Sequence, residues 1–442
     1  MKRILESPKC DSDGDHAARW IEPAAVLDRL RREALIPRGW KVRELLIQRV
    51  FPAKPSSFGV QYRLVVHHAR QGTAQGSVYL SPLVQSVSRP MPALKIDPTG
   101  VFTLTGLAVP VDGGRMLLHT ADRDPQLPDL RAATSPLAMS RRLKLGYRAR
   151  CRCLSYRPGK RCTLAYVDKH QSERFVVGKV FSNGLFDSAP ALHRRVRAAL
   201  QKATSDPFEI PRVLRSLADL RMIVFTGVPE VNGMCRTDLA VAAGRVLAGL
   251  HEIRNATHTP FRIEDETKAV ERWIILIDRL RRLDSRTRRL HFWMKRVGRR
   301  LQQGPRVLLH RDFYDAQLVA TRGGWALVDL DTVGVGDREL DIANYVAHLI
   351  WNGIRTYGPR KARREAATFL HSYLKRQRGK FPGLNGRRLR FYLVSSLVRV
   401  SLIHSLRSGE QVAAKSLLRV AERWARCPAQ RCLPRLVNSR KD

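Results

Sequence analysis

The chain is short of acid. Against 80 lysines and arginines stand 39 aspartates and glutamates, a formal net charge of +41. Such an imbalance excludes no fold, but it predicts attraction to anions: nucleotides, phosphorylated metabolites, nucleic acid or anionic lipid. Long apolar runs are missing as well. A membrane-spanning helix needs roughly 20 consecutive apolar residues, and the best run, Trp273 to Ile277, is flanked by charge within a few positions. Residues 1–15 alternate charge and polarity without the apolar stretch of a secretory leader, so the expected compartment is cytoplasmic. The 7 cysteines are odd in number and scattered, which gives neither a disulfide framework nor paired zinc half-sites. Cys151, Cys153 and Cys162 invite a metal reading, but alternation along a strand explains their spacing better.

What is present is an ordinary globular composition, with 44% hydrophobic residues over 442 positions. That length holds two or three domains and a large core. Strand patterns run from Trp40 to Leu83: Val42 to Val50, a Pro/Ser loop at 52–57, alternation from Gln61 to Val66, then Ser77 to Leu80. Short strand candidates follow at 101–104 and 115–118, and 122–135 reads as a linker. A second cluster begins near Lys144. Arg150 to Tyr156 leads into the turn Arg157-Pro-Gly-Lys160, then Arg161 to Val167, then, after a polar turn, Arg174 to Phe181. The two clusters resemble each other, with Val78-Tyr-Leu80 standing where the second has Val177-Gly-Lys179. A degenerate internal repeat lacking the lysine and a coincidence of two β-meanders are equally open readings.

A basic helix is expected over 189–202 and a buried strand over 220–225, ended by Thr226-Gly-Val-Pro-Glu230. Leu239, Ala243, Val246, Leu247 and Leu250 recur at helical spacing after Thr237-Asp238, as do Val270, Ile274, Ile277 and Leu280. A strand–turn–strand unit covers Arg306 to Asp331, and helices follow from about Asp341, broken by a Gly/Pro loop at 379–386.

The segment richest in chemistry is Val307-Leu-Leu-His-Arg-Asp-Phe-Tyr-Asp-Ala-Gln317, followed by Trp325 to Asp331. Apolar residues enter a polar loop, a short strand leaves it, and a Gly323-Gly324 turn leads to a second strand ending in an acid. This arrangement can place Asp312, the Gln317 amide and Asp329 around one pocket. Phosphoryl transfer needs such a set: a carboxylate to orient the attacking hydroxyl, and oxygen ligands to hold Mg²⁺ against phosphates.

Here the sequence resembles the aminoglycoside phosphotransferase/choline kinase family, relatives of the protein kinases, from about Tyr147 to Trp424. The family's loop H-G-D-x-x-x-x-N is matched by His310 to Gln317, and its second motif by Asp329 to Asp341. The resemblance implies an α+β, bilobal protein-kinase-like fold with a β-rich N-lobe and a mostly helical C-lobe. Its boundaries would be an extra N-terminal α/β region at 1–140, an N-lobe and hinge at 141–230, and a C-lobe at 231–442. It further implies Asp312 as catalytic base or hydroxyl-orienting acid, Gln317 and Asp329 as Mg²⁺ ligands, and Lys179 as the clamp on the nucleotide phosphates. Gly159 and Lys160 would lie in the hairpin over the nucleotide, beside Arg161, and Thr226 and Val228 in the hinge that holds adenine. Asp337 and Asp341 would fix loops, His310 the catalytic loop, and His251 is read as a packing histidine. Asp331 is open between a metal neighbour and a solvated turn residue.

Two departures stand out. Gln317 replaces the family's asparagine, keeping the donor oxygen on a longer arm. The helix after Lys179 has no acid between Ala189 and Thr204 to pair with the lysine, leaving Asp187 or Glu209 as substitutes. The implied activity is an ATP- (or GTP-) and Mg²⁺-dependent transfer of phosphate to the hydroxyl of a sugar-like or aminoglycoside-like molecule, neutral or anionic. The alternative is a weak or inactive kinase-like protein that binds polyanions. Nucleic acid is the less favoured partner, because the basic run 279–300 reads better as a solvated or pocket-lining face.

Overall fold

The computed structural model describes residues 19–52, 58–83, 93–145, 149–168, 175–182, 186–187, 189–203, 208–231, 233, 235–253, 259–280 and 283–437. The expectations for residues 1–15, the Pro/Ser loop at 53–57 and the polar turn at 169–174 lie outside them.

Two five-stranded antiparallel sheets come first. One is built from β1 (Trp40–Pro52), β2 (Phe58–His68), β3 (Gly72–Pro82), β4 (Ala108–Val111) and β5 (Met116–His119), in the order β1-β2-β3-β5-β4. Helix α1 (Pro23–Arg32) precedes it. The other is built from β6 (Arg150–Arg157), β7 (Arg161–Val167), β8 (Phe175–Phe181), β9 (Val213–Leu217) and β10 (Met222–Thr226), in the order β6-β7-β8-β10-β9. The two orders are the same: a three-strand meander, then the fifth strand ahead of the fourth. Between the third and fourth strands the first sheet carries a small ladder, Lys95–Ile96 on Leu104–Thr105, whereas the second carries helix α2 (Ala189–Ala203).

Period-two alternation assigns the faces of the second sheet. Cys162, Leu164 and Tyr166 of β7 and Val180 of β8 point outward into a cluster with Tyr79, Leu127, Leu130, Ala133 and Met139 of the N-terminal region. Arg161, Thr163, Val177 and Lys179 therefore point the other way, toward the helical lobe. Residues 122–135 are not a linker. They form a turn and a short helix (Leu130–Ala133) whose apolar side chains cover the outer face of the sheet. Polar residues around Leu127 and Leu130 conceal that role in the sequence. Truncating such a fully buried leucine costs about 2–5 kcal/mol.

The C-terminal lobe contains α3 (Arg236–Glu252), α4 (Ile263–Leu280), α5 (Ser285–Gly298), α6 (Glu339–Asn352), α7 (Pro359–Gln377), α8 (Gly386–Ser405), α9 (Gln411–Arg426) and α10 (Ala429–Val437). Helix α3 lies so close to α7 that a Cβ on Gly244 would stand 2.5 Å from the Phe369 carbonyl oxygen. Helix α8 is buried on nearly every side, which accounts for its run Phe391-Tyr-Leu-Val394 and for the small serines that let neighbours approach. Between α5 and α6 lie two ladders: β11 (Arg306–Leu309) with β14 (Gly334–Asp337), and β12 (Leu318–Thr321) with β13 (Gly324–Leu327). The chain thus has the bilobal protein-kinase-like architecture, with one additional sheet in front. Among the described residues no helix is long and apolar enough to cross a membrane.

The first sheet also reaches the helical lobe. Ser408, just past α8, donates its backbone N–H to the Ile47 carbonyl at 3.1 Å and accepts the Ile47 N–H on its hydroxyl at 3.0 Å. One continuous apolar cluster runs from Trp20, Leu30 and Val60 to Leu393, Leu417 and Trp424.

Candidate active site

The loop between β11 and β12 is held from behind by Asp341, fully buried at the start of α6. Its carboxylate accepts the backbone N–H groups of His310 and Arg311, both at 2.7 Å, and lies 3.3 Å from His251, which in turn meets the Tyr373 hydroxyl at 2.9 Å. His310 turns inward, its Nε2 3.0 Å from the Val328 carbonyl, and its own carbonyl accepts the Thr332 hydroxyl at 2.8 Å. Asn344 donates to the Phe313 carbonyl at 3.0 Å. Asp337 binds the Gly304 N–H and the Tyr392 hydroxyl, away from the loop's open side. His310, His251, Asp337 and Asp341 thus serve as scaffolding.

With its back fixed, the loop turns Asp312 outward. No hydrogen bond or ion pair engages this carboxylate among the described residues, and it is only half-buried. Gln317 is 5% exposed and its side-chain amide likewise has no protein partner among the described residues. Its backbone carbonyl accepts the Val328 N–H at 2.9 Å, bringing it beside the strand end that carries Asp329. Asp329 itself adopts φ 60°, ψ 55°, a left-handed conformation that L-residues enter only at a cost in strain.

Two basic side chains from the second sheet close on this strand end. Lys179 Nζ donates to Asp329 at 2.9 Å and to Asp331 at 3.0 Å. The Arg161 guanidinium takes the remaining oxygens, donating to Asp329 at 2.8 Å and also to Asp331. His193 of α2 reaches the same Asp331 oxygen as Lys179 at 3.4 Å, its ring against Phe225. Burial pushes the Asp331 carboxyl up, but Lys179, the His193 hydrogen bond and Arg161 outweigh it and hold the group well below the usual carboxylate range.

These contacts answer two questions raised by the sequence. Asp331 is not a solvated turn residue; it is a buried partner of three basic groups. Lys179 is paired neither with Asp187 nor with Glu209, whose backbone is tied to Trp325 and Leu327. Its partners are Asp329 and Asp331, and the helix position nearest them carries His193. Arg161, His193 and Asp331 form a cage around Lys179 and Asp329. No local motif announces this cage, because its partners lie 138 to 170 positions apart.

The turn between β6 and β7 is anchored from outside. Asp124 of the N-terminal region accepts the Gly159 N–H at 2.7 Å and the Tyr156 hydroxyl at 2.6 Å. Gly159 has φ 65°, and a Cβ there would meet the Gln126 side chain at 2.9 Å. Lys160 is exposed. At the other end, Thr226 pairs its N–H with the Arg212 carbonyl at 2.9 Å, Gly227 donates to Phe175 at 3.0 Å, and the Val228 backbone carries no hydrogen bond among the described residues.

Among the described residues no group of three His, Cys, Asp or Glu could hold a metal ion. Magnesium needs fewer, since it keeps waters and shares its shell with phosphate oxygens. Asp329, the unpartnered Gln317 amide and the neighbouring Asp331 are hard oxygen donors, and the guanidinium bridging the two carboxylates shows that the pair accommodates a cation. The residues fit.

The sequence pattern of the phosphotransferase enzyme family matches residues 165–388, just over half of the chain. The chain belongs to that family. Solved structures similar to it include a choline/ethanolamine kinase family protein from Mesorhizobium loti, at 12% identity and a TM-score of 0.49, covering 70% of this chain and 99% of that one. A macrolide 2'-phosphotransferase from Brachybacterium faecium aligns at 16% identity and 0.42, covering 66% and 98%. A choline kinase from Streptococcus pneumoniae aligns at 13% and 0.42, covering 62% and 92%. No curated protein sequence matches the chain.

Proposed function

We propose that the protein is an ATP- or GTP-dependent small-molecule kinase that transfers a phosphoryl group to a hydroxyl on a sugar-like or aminoglycoside-like acceptor. The observation that carries this reading is the pairing of an unengaged carboxylate, Asp312, with a strained, cation-bound one, Asp329, on one braced loop system in a phosphotransferase-family chain.

In this mechanism Asp312 orients the acceptor hydroxyl and takes its proton as the oxygen–phosphorus bond forms and the nucleoside diphosphate leaves. Lys179 exchanges its carboxylate partners for the nucleotide phosphates. The hairpin at Gly159 and Lys160 covers them, and the backbone around Thr226 and Val228 meets the base. Asp329 and Gln317 would hold Mg²⁺, which when bound neutralises the developing charge on the phosphates. The matching order of the two sheets supports reading 1–140 as a lysine-less copy of the N-lobe, ahead of an N-lobe at 141–230 and a C-lobe at 231–442.

The test compares wild type with Asp312→Asn and Asp329→Ala. Asp312→Asn should bind Mg·nucleotide within about twofold of wild type while turnover falls about 10²–10⁴-fold. Asp329→Ala should lose Mg²⁺-dependent nucleotide binding. If wild type binds no Mg·nucleotide, the kinase reading fails and polyanion binding takes its place.

A further inference from the structure

Arginines from three separate parts of the chain come within charge-interaction range of one another and of Tyr314 on the loop from His310 to Gln317. Arg157 ends β6, four positions before Arg161, which holds Asp329. Arg49 comes from the N-terminal sheet. The β1–β2 register is interrupted between Ile47 and Arg49, leaving Gln48 as an extra residue. A bulge of this kind re-aims the side chain beside it. Two positions earlier, the Ile47 backbone is bonded to Ser408, so Arg49 is delivered next to Arg407. Tyr314, two residues after Asp312, supplies the floor; its ring is stacked on His348 at 4.6 Å.

These cations are thinly paired. Among the described residues neither the Arg49 nor the Arg157 side chain forms a hydrogen bond or ion pair, although Asp312 and Asp329 attract Arg157 from a distance. Arg407 has only a long 3.7 Å approach to Glu410, a carboxylate already held by His404 and by Arg355 at 3.1 Å. The Arg407 Nε is buried and unpartnered. Burial first, then Arg161 and Arg49, outweigh the pull of Asp312 and Asp329 and make Arg157 give up its proton more readily, and burial with Arg49 and Arg355 outweighs Glu410 for Arg407. Like charges gathered from three elements and left unpaired resemble a site waiting for an anion.

We propose that the acceptor already bears a phosphate group, bound between Arg49, Arg157 and Arg407 so that its hydroxyl meets Asp312. This rests on the kinase reading and narrows it to phosphorylated small molecules. Three guanidiniums suit a dianion, and their planar forks pair with phosphate oxygens two at a time. The stacked Tyr314 and His348 offer a flat face to the rest of the molecule. The N-terminal sheet thereby completes the acceptor site by contributing Arg49.

Inorganic phosphate is the probe, titrated calorimetrically into wild type, Arg49→Gln and Arg407→Gln with the nucleotide site filled by Mg·ADP. Wild type should bind phosphate, each variant at least about fivefold more weakly, with ADP affinity held within about twofold and acetate much weaker throughout. Arg49 is exposed, so its variant should keep the wild-type melting temperature, which is measured in parallel. Absent phosphate binding, or equal binding in all three proteins, overturns the proposal. So does a parallel loss of ADP affinity, which would give the arginines to the nucleotide. An oligonucleotide that outcompetes phosphate through Arg49 would reassign the cluster to nucleic acid. If Mg·ADP does not bind wild type, the kinase reading falls on its own, and phosphate titrated alone into the same variants still decides whether the anion site exists.

Discussion

Asp329 combines a left-handed backbone with a carboxylate whose two oxygens face different cations. Strain of this sort persists only where neighbours over-determine it. On the proposed reading, Arg161 is the neighbour that Mg²⁺ would have to displace. Arg161→Gln should therefore destabilise the metal-free protein by about 1–3 kcal/mol through lost pairing to Asp329 and Asp331, read as a lower melting temperature. It should also enlarge the rise in melting temperature on adding Mg²⁺. An unchanged response to Mg²⁺ would show that Arg161 does not hold these carboxylates in solution. A second residue makes a pH prediction. His348 is pushed down to about 3, first by burial and then by Arg399, His404 and Arg407, with the Tyr314 ring on its face. The unfolded chain takes up this proton near pH 6.5 and the folded chain does not. Stability therefore falls as pH drops from about 6.5 toward 3, by at most about 1.4 kcal/mol per pH unit. Chemical denaturation of wild type and His348→Phe between pH 7 and 5 should give a shallower slope in the variant.

At the level of elements, the hairpin from β6 to β7 takes its position from a residue outside the family-matched region. Asp124 is 3% exposed and accepts three hydrogen bonds, from Tyr156, Gly159 and the Gln126 N–H. Asp124→Ala should destabilise the protein by about 1–3 kcal/mol. It should also speed amide exchange across residues 157–161, while the loop from His310 to Gln317 stays protected by Asp341. Equal exchange in the two proteins would sink the idea. The same hairpin marks where sequence reasoning ran out. Most strands of both sheets, the basic helix before β9 and the loop from His310 to Gln317 were legible, because periodicity and short motifs are local signals; the short strands β4 and β9 were not. The buried role of 122–135 was not, since its apolar residues are spaced among polar ones and their partner is a sheet completed some 90 positions later. Arg49 was equally hidden. Nothing in Gln48-Arg49 announces a bulge, and its neighbours at 157, 314 and 407 come together only in the folded chain. The missing helix acid was readable as an absence, yet the replacement by Asp331 was not.

For the whole molecule, the N-terminal region belongs to the same core as the rest. Its apolar residues join one cluster with the helical lobe and a second with the N-lobe sheet. A chain beginning near residue 141 should therefore expose both faces and aggregate on expression, where a detachable extension would leave a soluble, cooperatively melting core. Size-exclusion chromatography and a thermal melt of the truncated chain distinguish the two.

The pair of hydrogen bonds between Ile47 and Ser408 has a mechanical meaning. The region that carries Ile47 also grips the back of the second sheet, so it spans both arms of the clamp as a strut. Pulling the arms apart must either break those two hydrogen bonds or shear the apolar cluster beneath them. A fold braced in this way resists rigid opening of its two arms more than it resists movement at their edges.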